Sequence, residues 1–154
     1  MNANVRAKRI LSRLASYHSI EDVGGGFGRL REQAIRLGAK PIGVYVNTQT
    51  EGSETLLVTD LGVLLENKLD VAFIAYKNVG RVDIVASNTL LEEDSSKKSE
   101  ADGLLISTLD TGSSQLIPIR NGNGKYRDVF EFARFMLRTA EDAKMPRGTG
   151  VEYV

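Results

Sequence analysis

Cysteine and tryptophan are absent from these 154 residues, and there are only one histidine and three prolines. A chain without cysteine forms no disulfide, offers no thiolate nucleophile and lacks the ligands of the commonest zinc cages. No apolar run approaches the roughly 18 residues needed to cross a bilayer, so no membrane-spanning helix is expected. The first residues are basic, but Arg9 and Arg13 interrupt any apolar core of signal-peptide type. Together these absences point to a cytoplasmic chain in a reducing compartment. A domain of this length buries roughly two-thirds of its unfolded surface, so one core is expected, with no metal or cofactor required.

Charge is balanced in sum but not in distribution. Residues 1–40 carry eight Lys or Arg against three Asp or Glu, and the remainder carries twelve against seventeen. A basic segment on an acidic body pairs with its own body, with another copy, or with an external anion.

Three stretches have helical spacing. Residues 4–18 place Ile10, Leu11, Leu14, Ala15 and His18 on one face, with Arg6, Arg9 and Arg13 opposite. A short helix is expected from Phe27 or Arg29 to Leu37, with Leu30, Ala34 and Leu37 facing one way and Gly38 as its stop. The longest runs over residues 123–144. It puts Tyr126, Val129, Phe130, Ala133, Leu137 and Ala140 on a buried face, with Phe130 as core.

Between residues 41 and 120 the period changes to two. Strands are expected at 42–46, 54–59, 63–67, 71–76, 79–86, 103–109 and 115–120. Asp60-Leu61-Gly62 turns the second into the third, with Gly62 available for a positive φ. Residues 87–102 contain the polar run Glu92 to Glu100 and read as a solvated insertion.

Seven antiparallel strands followed by one amphipathic helix is the plan of the pleckstrin-homology superfold. Leu56-Leu57-Val58-Thr59-Asp60-Leu61-Gly62-Val63-Leu64 resembles the second-hairpin segment of bacterial pleckstrin-homology and GRAM-like domains. Phe73-Ile74-Ala75-Tyr76-Lys77-Asn78-Val79 resembles their next strand, and Asp128-Val129-Phe130-Glu131-Phe132 with Phe135 resembles their closing helix. The resemblance implies a seven-stranded barrel closed by a C-terminal helix, an α+β, mainly β, fold. The division is then a helical arm over 1–40, the barrel and helix over 41–144, and a tail over 145–154. Phosphoinositide binding occurs in that family through a cationic first hairpin. Here residues 47–54 contain no Lys or Arg and two Glu, which argues against a headgroup site.

Catalytic signals are sparse. His18 lies beside Ser19 and four residues before Asp22, but no nucleophile elbow accompanies them. Gly24 to Gly28 meets neither a Walker nor a dinucleotide pattern. Even so, Gly25, Gly26 and Gly28 ahead of Arg29 and Arg31 form a candidate anion site at a helix start. The acids near residue 92 lack calcium-loop spacing, and no metal site is assigned. Nucleic-acid binding is disfavoured because Tyr17 and Phe27 alone supply rings among the basic residues.

The sequence therefore reads as a non-enzymatic binding module for a protein partner or a second copy, with Arg6, Arg9 and Arg13 as its interaction surface. Two other readings remain open. One is an enzyme acting on an anionic small molecule at Gly24–Gly28. The other is a membrane-surface adaptor using the basic first helix.

Overall fold

The computed structural model describes residues 2–24, 26–47, 54–66, 70–86, 89–90, 101–120 and 125–144. Expectations for the loop at 48–53, the acidic run at 91–100, the turn at 121–124 and the tail at 145–154 lie outside them. The chain begins with helix α1, Ala3–Ile10, capped by the Asn2 side chain, which accepts from the Val5 N–H at 2.9 Å. A 3-10 turn over Leu11–Arg13 follows. Strand β1 is Tyr17–Ser19, and helix α2 is Gly28–Arg36. Strands β2 (Pro41–Val46), β3 (Thr55–Thr59), β4 (Gly62–Glu66) and β5 (Val71–Ala75) form a meander. After a 3-10 turn at Tyr76–Asn78 come β6 (Val79–Ala86), β7 (Thr89–Leu90), β8 (Gly103–Thr108) and β9 (Ser114–Pro118). Helix α3, Lys125–Lys144, ends the described chain.

The closed seven-stranded barrel is not what forms. Two separate antiparallel sheets are present, in the orders β1-β2-β3-β4-β5 and β7-β6-β8-β9, and no ladder joins them among the described residues. With three helices the fold is α+β. The physical reason lies in β3 and β4, where every residue except Glu66 is buried. A sheet covered on both faces needs apolar residues at every position. Tyr45, Leu56, Val58, Val63 and Leu65 face a large core shared with the second sheet, α1 and α3. Val44, Leu57 and Leu64 face the other way, into a smaller core with Leu30 and Ala34 of α2. Residues 1–40 are thus built into both cores.

The first helix is also shorter than its spacing predicts. It stops at Ile10, and Tyr17 and His18 leave it to pair with Tyr45 and Val44. Pairing satisfies the edge of β2, and Tyr17 covers Gly43, where a Cβ would sit 2.2 Å from the Tyr17 hydroxyl oxygen. Helix α2 ends as expected at Gly38, which has φ 71°. The Ala39 N–H reaches the Ala34 carbonyl at 2.9 Å, closing a Schellman motif. Leu37, expected to be buried, is 42% exposed because it is the cap residue of that motif.

Helix α3 is rotated from the expected phase. Phe130 is 47% and Leu137 46% exposed, whereas Val129, Phe132, Ala133, Phe135, Met136 and Ala140 are buried. The aromatic rings decide this phase. Tyr45, Phe132, Phe135 and Tyr76 form a chain of edge-to-face contacts, with centroids 5.7, 6.0 and 5.9 Å apart. Both tyrosines are anchored at their hydroxyls. Tyr45 donates to Asp128 Oδ2 at 2.8 Å, and Tyr76 donates to the Thr59 carbonyl at 2.6 Å.

Gly62 does not serve through a positive φ. A Cβ there would lie 2.3 Å from the Ile74 carbonyl oxygen and 2.7 Å from the Phe73 ring. The turn itself is held by Thr59, whose Oγ1 accepts from the Leu61 and Gly62 N–H groups at 3.2 and 3.1 Å.

Candidate functional site: a basic cleft between the first and last helices

Helix α1 packs on α3, and Arg6 pairs with Asp142 across the contact. Ala3, Ala7 and Ile10 form the buried face of α1 and share one core with α3. The long side chains flanking that contact converge. Arg6, Lys8, Arg9 and Arg13 from the first segment meet Arg134 and Arg138 of α3 around a cleft of about 490 Å³. Ile10 is the remaining lining residue, and no carboxylate lines the cleft among the described residues.

Two of these cations are positioned by acids just outside it. Arg6 Nε donates to Asp142 Oδ2 at 2.9 Å and its Nη2 to Oδ1 at 3.2 Å, a two-pronged pair that pushes the Arg6 pKa further up. Arg134 Nη2 donates to Glu131 Oε2 at 3.3 Å, while its Nε is buried with no acceptor among the described residues. Lys8, Arg13 and Arg138 form no ion pair among the described residues. The cleft therefore holds fixed and unpaired cations side by side. The exposed Phe130 and Leu137 lie four and three residues from Arg134 on the same helix.

Arg6, Arg9 and Arg13, singled out from sequence, come together here. Arg134 and Arg138 were not singled out as site residues. They lie on the polar side of α3, and only the packing of α1 makes them part of one surface.

The glycine segment is arranged differently. Arg31 Nε donates to the Gly26 carbonyl at 2.8 Å, and its Nη2 donates to the Gly24 carbonyl. Arg29 lies 3.6 Å from Glu66. Gly28 is the first residue of α2, after Phe27 in a left-handed conformation at φ 62°. Gly25 lies outside the described residues. The Arg31 guanidinium thus closes the loop on its own carbonyls, which present partial negative charge to it.

His18, Ser19 and Asp22 share a recess of about 510 Å³ with Lys8, Lys40 and Asp60. Ser19 Oγ bonds to Asp22 Oδ2 at 3.0 Å. Strand alternation sends His18 and Ser19 to opposite faces of β1, so no serine–histidine relay is formed. Tyr17 in the same recess has its phenol pushed up to about 12 by burial, which keeps it neutral. A third hollow of about 650 Å³ lies beside β5 and includes Leu37, Leu61, Phe73 and Thr139.

Among the described residues no three His, Asp or Glu side chains converge as metal ligands, and no helix is long and apolar enough to cross a membrane. No family model matches the chain, and no curated protein and no solved structure matches it.

Proposed function

We propose that this chain is a non-enzymatic binding module whose protein partner docks in the cleft between α1 and α3. One observation carries the reading: six cationic side chains from α1, the 3-10 turn after it and α3 line one recess, and among the described residues no carboxylate lines it. Lys8, Arg13 and Arg138, which form no ion pair among the described residues, are like charges held close together; that raises the free energy of the unbound surface, and an anionic partner relieves the repulsion. Phe130 and Leu137, exposed on the same helix as Arg134 and Arg138, present apolar area of the kind that anchors protein interfaces.

Likeness to pleckstrin-homology and GRAM-like domains remains part of this proposal. Its support is the element order alone: a four-strand meander (β2–β5), then β6, β8 and β9, then a terminal helix. A second copy of the chain is the alternative occupant, favoured by the excess of acids over bases in residues 41–154.

The test is affinity capture from native extract with the full chain, an Arg13→Glu/Arg138→Glu variant, and an Arg36→Glu control. Arg36 sits on α2 with Glu32 as its partner at 3.4 Å, away from the cleft. Capture retained by the control and lost with the double variant supports the reading. Equal capture by all three overturns it. Sedimentation of the same proteins separates a second copy from a foreign partner.

A further inference from the structure

Resting on that docking reading, we infer that the cleft takes an acidic peptide segment with Asp or Glu carboxylates spaced along it, rather than one compact polyanion. The distribution of the cations is the first reason. They are strung along two helices instead of converging on a point. Arg134 and Arg138 are one turn apart, roughly 6 Å along the axis at 1.5 Å per residue. Carboxylates on alternate residues of an extended chain recur at about 6.5–7 Å. Successive carboxylates of such a chain therefore match the guanidinium groups of Arg134 and Arg138 in turn.

The second reason is what the cleft lacks. Compact phosphate sites draw on backbone N–H groups at a helix N-terminus. Here the lining residues of α1 run from its middle into the 3-10 turn, and Arg134 and Arg138 lie within α3, well past its first turn. Lys8 and Arg9 occupy the last turn of α1, where the helix dipole presents its negative end. The recognition is thus carried by side chains. Arg6 and Arg134, already held by Asp142 and Glu131, are preorganised for it.

The probe is a fluorescein-labelled peptide of alternating Glu and Ala, titrated with the full chain by fluorescence anisotropy at 50 and 200 mM NaCl. Saturable binding is expected, weakened about tenfold at the higher salt by screening of several exposed pairs. It should be lost in Arg13→Glu/Arg138→Glu and kept in Arg36→Glu. Arg13→Gln/Arg138→Gln serves as a milder second variant, and circular dichroism melts confirm that each variant folds. Displacement of the peptide by inorganic tripolyphosphate at a lower concentration than by unlabelled peptide of equal charge overturns the inference in favour of a compact anion. Sedimentation with phosphatidylserine vesicles, without peptide binding, overturns it in favour of a membrane surface. No peptide binding alongside cleft-dependent capture from extract overturns this inference and leaves the docking reading standing. Failure of both experiments removes both.

Discussion

The ring of Phe132 meets that of Tyr45 edge-on, with centroids 5.7 Å apart and planes at 81°. This contact ties α3 to the first sheet and fixes which side of the helix faces inward. Phe132 is fully buried, whereas Phe130, two residues earlier, is half exposed. Phe132→Ala should therefore lower unfolding free energy by about 3–5 kcal/mol. Phe130→Ala should fall within about 1 kcal/mol of the parent. Urea denaturation of both variants decides the phase of the helix, and the reverse order of effects would contradict it.

Asn47 joins the two sheets. Its fully buried side chain donates to the Glu54 and Pro118 carbonyls at 3.0 and 2.9 Å and accepts from the Arg120 N–H at 2.6 Å. Arg120 in turn reaches Glu54 Oε1 at 2.8 Å. Asn47→Ala leaves several of these groups without partners, and each buried orphan costs about 1–3 kcal/mol. A loss of about 2–4 kcal/mol in chemical denaturation is expected. An Asn47→Ala chain as stable as the parent would show that the sheets are held by apolar packing alone.

Strand positions from 42 to 118 were largely legible, because alternation and turn residues mark them. The layer arrangement was not. Leu56-Leu57-Val58 and Val63-Leu64-Leu65 are apolar at every position, which is the mark of a sheet covered twice. That signal called for a second layer, which α2 supplies. The phase of α3 was ambiguous because two stripes of the helix both satisfy three- and four-residue spacing. Only one of them accounts for Phe132, Phe135 and Met136. Three of the six cleft cations were visible as a basic helix face. Arg134 and Arg138 are more than 120 residues away in sequence and join them only through the packing of α1 on α3.

Asp128 is buried, and that burial raises its pKa, opposed by the Tyr45 hydrogen bond and by Arg127. A raised native pKa means that the folded state binds the proton more tightly than the unfolded chain. Its contribution to stability is then complete below the unfolded value of about 3.9 and is lost as pH rises through the native value. Asp128→Asn removes this dependence. Relative to the parent, the variant should gain stability between about pH 4 and pH 7, read as the difference between paired thermal melts. A variant that instead loses ground over that interval would mean that the carboxylate is stabilised by its surroundings.

Gly62→Ala should destabilise the β4–β5 pair by about 1–3 kcal/mol, since the new methyl meets the Ile74 carbonyl of β5 rather than a flexible side chain. Gly112→Ala, where nothing lies within 4 Å but φ is 68°, isolates the conformational cost for comparison. Hydrogen exchange at Val63 and Ile74 reports whether the first effect is local. Unchanged protection in Gly62→Ala would contradict the close packing assigned to that strand pair.

A chain starting at Pro41 lacks α1, β1 and α2 and leaves Val44, Leu57 and Leu64 uncovered. It should lose cooperative unfolding and associate non-specifically. A soluble, monomeric, equally stable truncation would show that the first 40 residues are an appendage after all.

Docking between α1 and α3, as proposed, is tested most directly by amide chemical-shift mapping during titration with the alternating Glu–Ala peptide. Perturbations are expected to concentrate at Arg6–Arg13 and Arg134–Arg138 and to be absent from Arg13→Glu/Arg138→Glu. Perturbations centred on β5 or on α2, with the cleft residues silent, would contradict it.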